Sequence, residues 1–205
     1  CTGIYDLSNW NGSNKTIVIK NCRDISLTSL PLNSNITIES STIGIGTTNP
    51  CNLFIKDVTL VGGDTYILDN FTSYNSIVNA TIYAKNSVVK DSQINKEFHL
   101  IPQDGVTRTV SYRGWFTPQN LVSVEVSKFI HGYFDNNIFN DKIVIDAWYN
   151  NGSDGYTVDE VLVDSFTFIN NDSGLQDPWE IKPAIGAFAH DSLHSYKWAG
   201  NKGTF

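Results

Sequence analysis

The 205-residue chain has no methionine, only three cysteines and 17% charged residues. Basic residues are the scarcer sign, 14 Lys+Arg against 21 Asp+Glu, for a net charge of −7. Such a surface repels phosphate backbones and anionic bilayers, which excludes nucleic acid as the expected partner. No apolar run nears the roughly 20 residues that cross a bilayer, so no membrane span is expected. No stretch has the basic start and apolar middle of a secretory signal. A Gly-rich phosphate loop, a nucleophile elbow and a Cys-His metal knuckle are also missing. The lack of Met, with Cys1 at the head, reads as a processed chain or a fragment, and Cys1 also fits an acylated cysteine. Cys1, Cys22 and Cys51 all fall in the first quarter. A Cys22–Cys51 or Cys1–Cys22 disulfide would staple the first turns of chain and leave one thiol over; three free thiols are the alternative.

What is present is repetition. Asn35-Ile36-Thr37-Ile38-Glu39-Ser40-Ser41-Thr42-Ile43 returns as Asn52-Leu53-Phe54-Ile55-Lys56-Asp57-Val58-Thr59-Leu60. Both phrases alternate apolar and polar residues, turn on a polar pair and resume with β-formers. Alternation at period two marks a strand with one buried face. Its return after one coil's length of chain marks a solenoid, in which each unit hides its apolar face only against its neighbours. The expected fold is all-β, a parallel β-helix in one domain spanning 1–205, because the length suits a single sizeable core. Residues 1–14 read as an opening segment or cap. The pattern breaks at 95–119, a long insertion with Tyr112 and Trp115 as sugar-stacking candidates. From 172 to 205 the period fades into an aromatic cap or docking segment containing Trp179, Phe188, Tyr196, Trp198 and Phe205. Val122–Val126, Ile143–Asp146 and Val161–Phe166 read as successive later rungs, separated by Asn-rich turns such as Asp135-Asn136-Asn137. Asn suits such corners because it tolerates left-handed backbone and can stack its amide in a ladder. The rival fold is a β-sandwich, pilin-like domain with antiparallel strands.

These rungs resemble those of the right-handed parallel β-helix superfamily, to which pectate lyases, many phage tailspikes and numerous surface adhesins belong. The resemblance covers about Thr16 to Asn170. It implies a polysaccharide-binding or polysaccharide-cleaving protein, or an extended structural spine. The motifs of the polygalacturonase branch, paired Asp after Asn-Thr and a Gly-His-Gly turn, are absent, and His131-Gly132 stands alone. A lyase Arg/Lys pair beside calcium carboxylates is absent too.

Aligning the rungs places one outward column as Lys20, Glu39, Lys56, Asn79 or Lys90, Glu125, Asp146 and Asp164. The first members alternate in sign and neutralise one another at the strand spacing of about 4.8 Å. The last three stack like charges, which calls for a bound cation, a raised pKa or relief by Arg108 or Arg113. Carboxylates one or two rungs apart also approach the separations of about 5 to 9.5 Å used in glycoside hydrolysis, so Glu125, Asp146 and Asp164 are the catalytic candidates if the protein is an enzyme. His190, Asp191 and His194 form the one His cluster. Glycosylation sequons at Asn11, Asn14, Asn35, Asn70, Asn79, Asn151 and Asn171 fit an extracellular chain on a cell or virion surface. The expected function is a glycosylated structural or adhesive subunit that assembles head-to-tail into a filament or fibre, with polysaccharide surfaces as further partners. The alternative is a polysaccharide lyase or glycoside hydrolase. No cofactor is expected beyond a structural cation at the stacked acids.

Overall fold

The structure, a computed structural model, describes residues 1–7, 15–62, 65–100, 103–104, 109–112, 122–125, 128–141, 143–146, 150–151, 158–159, 161–173, 179–182 and 196–202. These residues contain no helix. They form a parallel β-solenoid consistent with the right-handed β-helix architecture. The repeated phrase sets its register. Asn35 pairs with Asn52, Ile38 with Ile55 and Ile43 with Leu60, all parallel. Asn52–Lys56 then stacks on Asn70–Tyr74, and that run on Asn86–Lys90. The pairs between successive coils are parallel; among the described residues the antiparallel pairs are two hairpins, Thr109–Tyr112 with Val122–Glu125 and Asn150–Asn151 with Val158–Asp159, and the short Gln103–Asp104 strand against the start of Lys128–Asp135. That arrangement rules out the β-sandwich alternative, whose sheets are built from antiparallel neighbours.

One corner recurs from coil to coil on a residue with left-handed backbone. Asn21, Ser40, Asp57, Asn75, Asp91, Asn136 and Asn170 have φ between 46° and 56°, and Gly200 takes φ 68° at the last such corner. Asn and Asp accept this conformation at low cost because their short polar side chains bond locally. The next residue points inward, and where it is Ser or Asn its side chain partners backbone groups that burial would otherwise leave unpaired. Ser76 Oγ donates to Tyr74 O at 2.7 Å and accepts from Val58 N at 3.1 Å. Ser92 does the same with Lys90 O and Ser76 N. Further along, Asn137, Asn171 and Asn201 take over this inner position. Asn137 Oδ1 accepts from Ser92 N at 2.9 Å, and its Nδ2 reaches Val89 O at 2.8 Å. Asn171 Oδ1 accepts from Asn137 N, and Asn201 Oδ1 from Asn171 N. An outer amide ladder runs beside them. Asn52 donates to Asn35 at 2.8 Å, Asn70 to Asn52, and Asn86 to Asn70 at 2.9 Å.

The core follows the alternation. Leu27, Ile36, Ile38, Ile43, Ile45, Leu53, Ile55 and Leu60 fill the early coils, each fully buried and each contributing about 1.5–3 kcal/mol by leaving water. Later coils are filled by rings. Phe71, Phe98, Phe134 and Phe168 form an axial file with centroids 5.3–5.9 Å apart, and Phe139 packs beside it.

Past Leu100 the register differs from the expectation. Val122–Glu125 is not a rung but pairs antiparallel with Thr109–Tyr112 in a hairpin. Ile143–Asp146 stacks between Phe98–Leu100 and Trp179–Lys182, whereas Val161–Ile169 stacks on Lys128–Asp135. Three similar apolar runs therefore belong to three different places. The excursion also starts later than residue 95, because Phe98–Leu100 is stacked on Ile82–Ala84. Nor does the period end at 172. Trp179 pairs in register with Ile143, Tyr196 with Phe166 and Trp198 with Phe168, so these aromatics sit on rungs of the stack. Trp115, Phe188, Phe205, His190 and His194 lie outside the described residues.

Candidate functional site

The corners build a groove on the surface. The left-handed residues Asp57, Asn75, Asp91, Asn136 and Asn170 form one column. The short strands that follow bring Thr59, Ile77, Gln93, Ile138, Asp172 and Lys202 into a second column, in register from layer to layer. Between them runs a groove of about 800 Å³ along the solenoid axis. Five strand-to-strand steps of about 4.8 Å make it roughly 24 Å long.

Its polar walls are pre-set. Asn75 Nδ2 donates to Asp57 Oδ1 at 2.7 Å, and Asn136 Nδ2 to Asp91 Oδ1 at 2.7 Å. Each carboxylate keeps its second oxygen outside the pair. Gln93 Nε2 donates to Asn95 Oδ1 at 2.9 Å, which fixes that amide and leaves its own oxygen over. Ile77 and Ile138, 39% and 49% exposed, flank Gln93 on either side. Three carboxylates, Asp57, Asp91 and Asp172, face one cation, Lys202, among the groove residues.

No family model, no curated protein and no solved structure matches this chain. The site therefore has to be read from its own geometry.

The acidic column of the sequence reading does not form. Glu125 is opposite Thr109 in the hairpin, Asp146 is opposite Lys182, and Asp164 lies on the strand that stacks on Lys128–Asp135. The repulsion that called for a bridging cation, and the paired-acid geometry of a glycosidase, both presupposed one column. The observed outward column runs Lys20, Glu39, Lys56, Tyr74, Lys90, Asp135. Its early alternation holds, with Lys20 Nζ 2.9 Å from Glu39 Oε2, and Lys90 meets Asp135 at 3.7 Å. Asn79 belongs elsewhere, in a turn ladder with Asn95 and Asn140.

The three cysteines are free. Cys22 shares a column with Ser41 and Val58, while Cys51 lies at the far end of the strand that ends in Val58 and Leu60. At about 3.3 Å per residue that places it well beyond the roughly 7 Å between Cα atoms that a bridge tolerates. Cys22 turns its sulfur inward onto Lys20 O at 3.3 Å, whereas Cys1 is exposed. Burial, with the Asp69 carboxylate nearby, pushes the Cys51 thiol up to about 12. It stays protonated and unreactive at neutral pH.

The sequons divide. Asn35 and Asn70 are exposed on the outer ladder, Asn35 engaging there only through its oxygen. Asn171 is fully buried, with its amide spent on Asn137 N, Phe134 O and Asn201 Oδ1. A glycan on that nitrogen is incompatible with the fold, so the sequon reading of Asn171 gives way to a ladder role. Asn151 pairs its backbone with Val158, and Asn11 and Asn14 fall outside the described residues. Tyr112 lies in the hairpin opposite Val122.

Two further features escaped the sequence reading. His99 stacks on Tyr83 at 4.1 Å, and its Nε2 lies 2.9 Å from Glu97 Oε2. At the N-terminal side, Tyr5, Leu7, Ile17, Ile19, Ile25 and Leu27 line an apolar cleft of about 370 Å³. Beside it Ile4 is 78% and Val18 55% exposed. Neither feature has a local motif; each depends on register between coils.

Proposed function

We propose that this chain is a structural or adhesive β-solenoid, a subunit of an extracellular filament or fibre on a cell or virion surface, associating head-to-tail with copies of itself. The observation that carries this reading is the N-terminal layer. Among the described residues, Gly3–Tyr5 pairs only with Ile25–Leu27, and Thr16–Lys20 only with Asn35–Glu39. Among the described residues the other edge of each of these strands is unpaired, and the apolar cleft lies beside them. An open parallel edge with exposed aliphatic side chains is a template for another rung of the same kind. A head-to-tail contact repeats without limit unless its rotation closes a ring. The exposed sequons Asn35 and Asn70 support the extracellular setting.

Negative-stain imaging and light scattering over a concentration series test the reading. Filaments, or a mass that climbs with concentration, are the expected result. Val18→Lys should abolish assembly and leave the far-UV spectrum unchanged. A wild-type particle that remains strictly monomeric at high concentration overturns the proposal.

A further inference from the structure

We propose that the corner groove is a docking surface for a cationic peptide in the polyproline II conformation, with Arg or Lys at every third position. The inference rests on the groove alone and not on self-assembly, so it fails separately from the filament reading.

The charge comes first. Asp57, Asp91 and Asp172 are exposed along the groove, and Lys202 is the one cation among its lining residues. Lys56 and Lys90 precede two of the corners and belong to the neighbouring outward column, where Lys90 meets Asp135. Asn75 and Asn136 each take one oxygen of an aspartate, and the second oxygen of Asp57 and of Asp91 stays open. A trough of this kind repels a polyanion and draws a cationic chain along its length. Its acids are spaced rather than clustered. Counting layers through Thr59, Ile77, Gln93, Ile138 and Asp172, Asp57 stands on the first, Asp91 on the third and Asp172 on the fifth. Successive acids are therefore two layers apart, about 9.6 Å along the axis. Ile77 and Ile138 hold the second and fourth layers between them.

That interval selects the conformation of the peptide. A polyproline II helix has three residues per turn and rises about 3.1 Å per residue, so one face returns every 9.3 Å or so. Cations at i, i+3 and i+6 then span about 18.6 Å, against about 19.2 Å from the layer of Asp57 to that of Asp172. An extended strand returns each face after about 6.7 Å and is out of step by the second acid. An α-helix returns after two turns, about 10.5 Å, and overshoots the third acid by about 1.8 Å. A strand would also need a free edge to pair with, and Gln93 is already paired by Ile77 on one side and Ile138 on the other. A polyproline II chain makes no internal hydrogen bonds, so its carbonyls look for donors. Asn75 and Asn136 each spend one amide proton on an aspartate and carry a second. Ile77 and Ile138, 39% and 49% exposed, sit one layer from the acids, where they cover the aliphatic stems of Arg or Lys side chains whose heads reach the carboxylates. Lys202, on the sixth layer, ends the run of acids. Ligand and walls are both ordered before they meet, which lowers the cost of binding.

The test is calorimetric titration of the full chain at low salt with end-capped nonapeptides, run on the wild type and on Val18→Lys so that assembly does not mask the groove. A peptide of three Arg-Pro-Pro repeats should bind with a Kd of about 1 mM or tighter. It should bind at least about fivefold more tightly than three comparators. These are the same residues rearranged as three arginines followed by six prolines, a nonapeptide with three arginines at alternate positions among threonines, and spermine. Asp57→Asn combined with Asp91→Asn keeps an oxygen acceptor and a residue tolerant of left-handed backbone at each corner. That double variant should weaken binding about tenfold or more with the far-UV spectrum unchanged. Absence of binding by the Arg-Pro-Pro peptide overturns the proposal. So does binding of any comparator as tight as that of the Arg-Pro-Pro peptide, or binding that the double variant leaves intact.

Discussion

The coils from Asn35 to Leu100 and those from Lys128 to Lys202 make the same rungs by different means. In the first region equivalent positions recur after 17, 18 and 16 residues, and nearly all of the chain is in the stack. In the second, the matching intervals are 45, 34 and 30 residues, and hairpins outside the parallel stack, Thr109–Tyr112 with Val122–Glu125 and Asn150–Asn151 with Val158–Asp159, fall within the first two. Closing a longer loop costs entropy only slowly, about 0.6 kcal/mol per doubling, so the 45-residue interval costs roughly 1 kcal/mol more than the 16-residue one. The interior changes along the stack as well. The aliphatic interior of the first coils gives way to a file of phenylalanines that starts at Phe71 and Phe98 and continues through Phe134 and Phe168, while behind the corners Ser and Val are replaced by Asn137, Asn171 and Asn201. Ser41 and Ser76 each join two backbone groups, whereas Asn137 and Asn171 each join two backbone groups and the next amide as well. The lesson is that where the interval between coils lengthens, the inner corner position carries a more connected amide, while the ring file runs through both regions.

Three substitutions would break or sharpen that contrast. Phe134→Ala, at the centre of the ring file, should cost about 3–5 kcal/mol in chemical denaturation. A loss below about 1 kcal/mol would mean that the rings do not hold the looped coils together. Asn137→Ala leaves Ser92 N and Val89 O without partners and should cost about 2–3 kcal/mol, against about 1 kcal/mol for Ser76→Ala in the compact region. Equal losses from the two would erase the distinction between the inner columns. Asn52→Ala, in the exposed outer ladder, should shift stability by no more than about 0.5 kcal/mol. A much larger drop would move the weight of the compact coils from their apolar core to their surface amides.

The same contrast explains what could be read without the fold. In the compact coils the Asn35 and Asn52 phrases lie close in sequence and share nine positions of pattern, so register follows from alternation alone. The Asn136-Asn137 corner was legible too, since an amide both tolerates the left-handed turn and stacks. The rungs after Leu100 were not. Val122–Glu125, Ile143–Asp146 and Val161–Val163 all alternate correctly, and alternation says that a segment is a strand but not which strand lies beside it. An acidic column assembled from that one cue put Glu125, Asp146 and Asp164 together, where the register separates them. The groove stayed hidden for a related reason. Asp57, Asn75, Asp91, Asn136 and Asn170 each look like an ordinary turn residue and line one wall only once the corners are stacked.

By itself the sequence pointed to a parallel β-solenoid, because period-two burial returns at coil length, and the parallel register then excluded the sandwich. It also determined where the backbone turns, since few residues accept a left-handed corner. Only the tertiary structure decided which later strands are neighbours, which polar residues face inward, and which corner residues share a wall. Those choices depend on the closure of long loops and on contacts between residues 30 to 45 positions apart, distances at which local pattern carries no register.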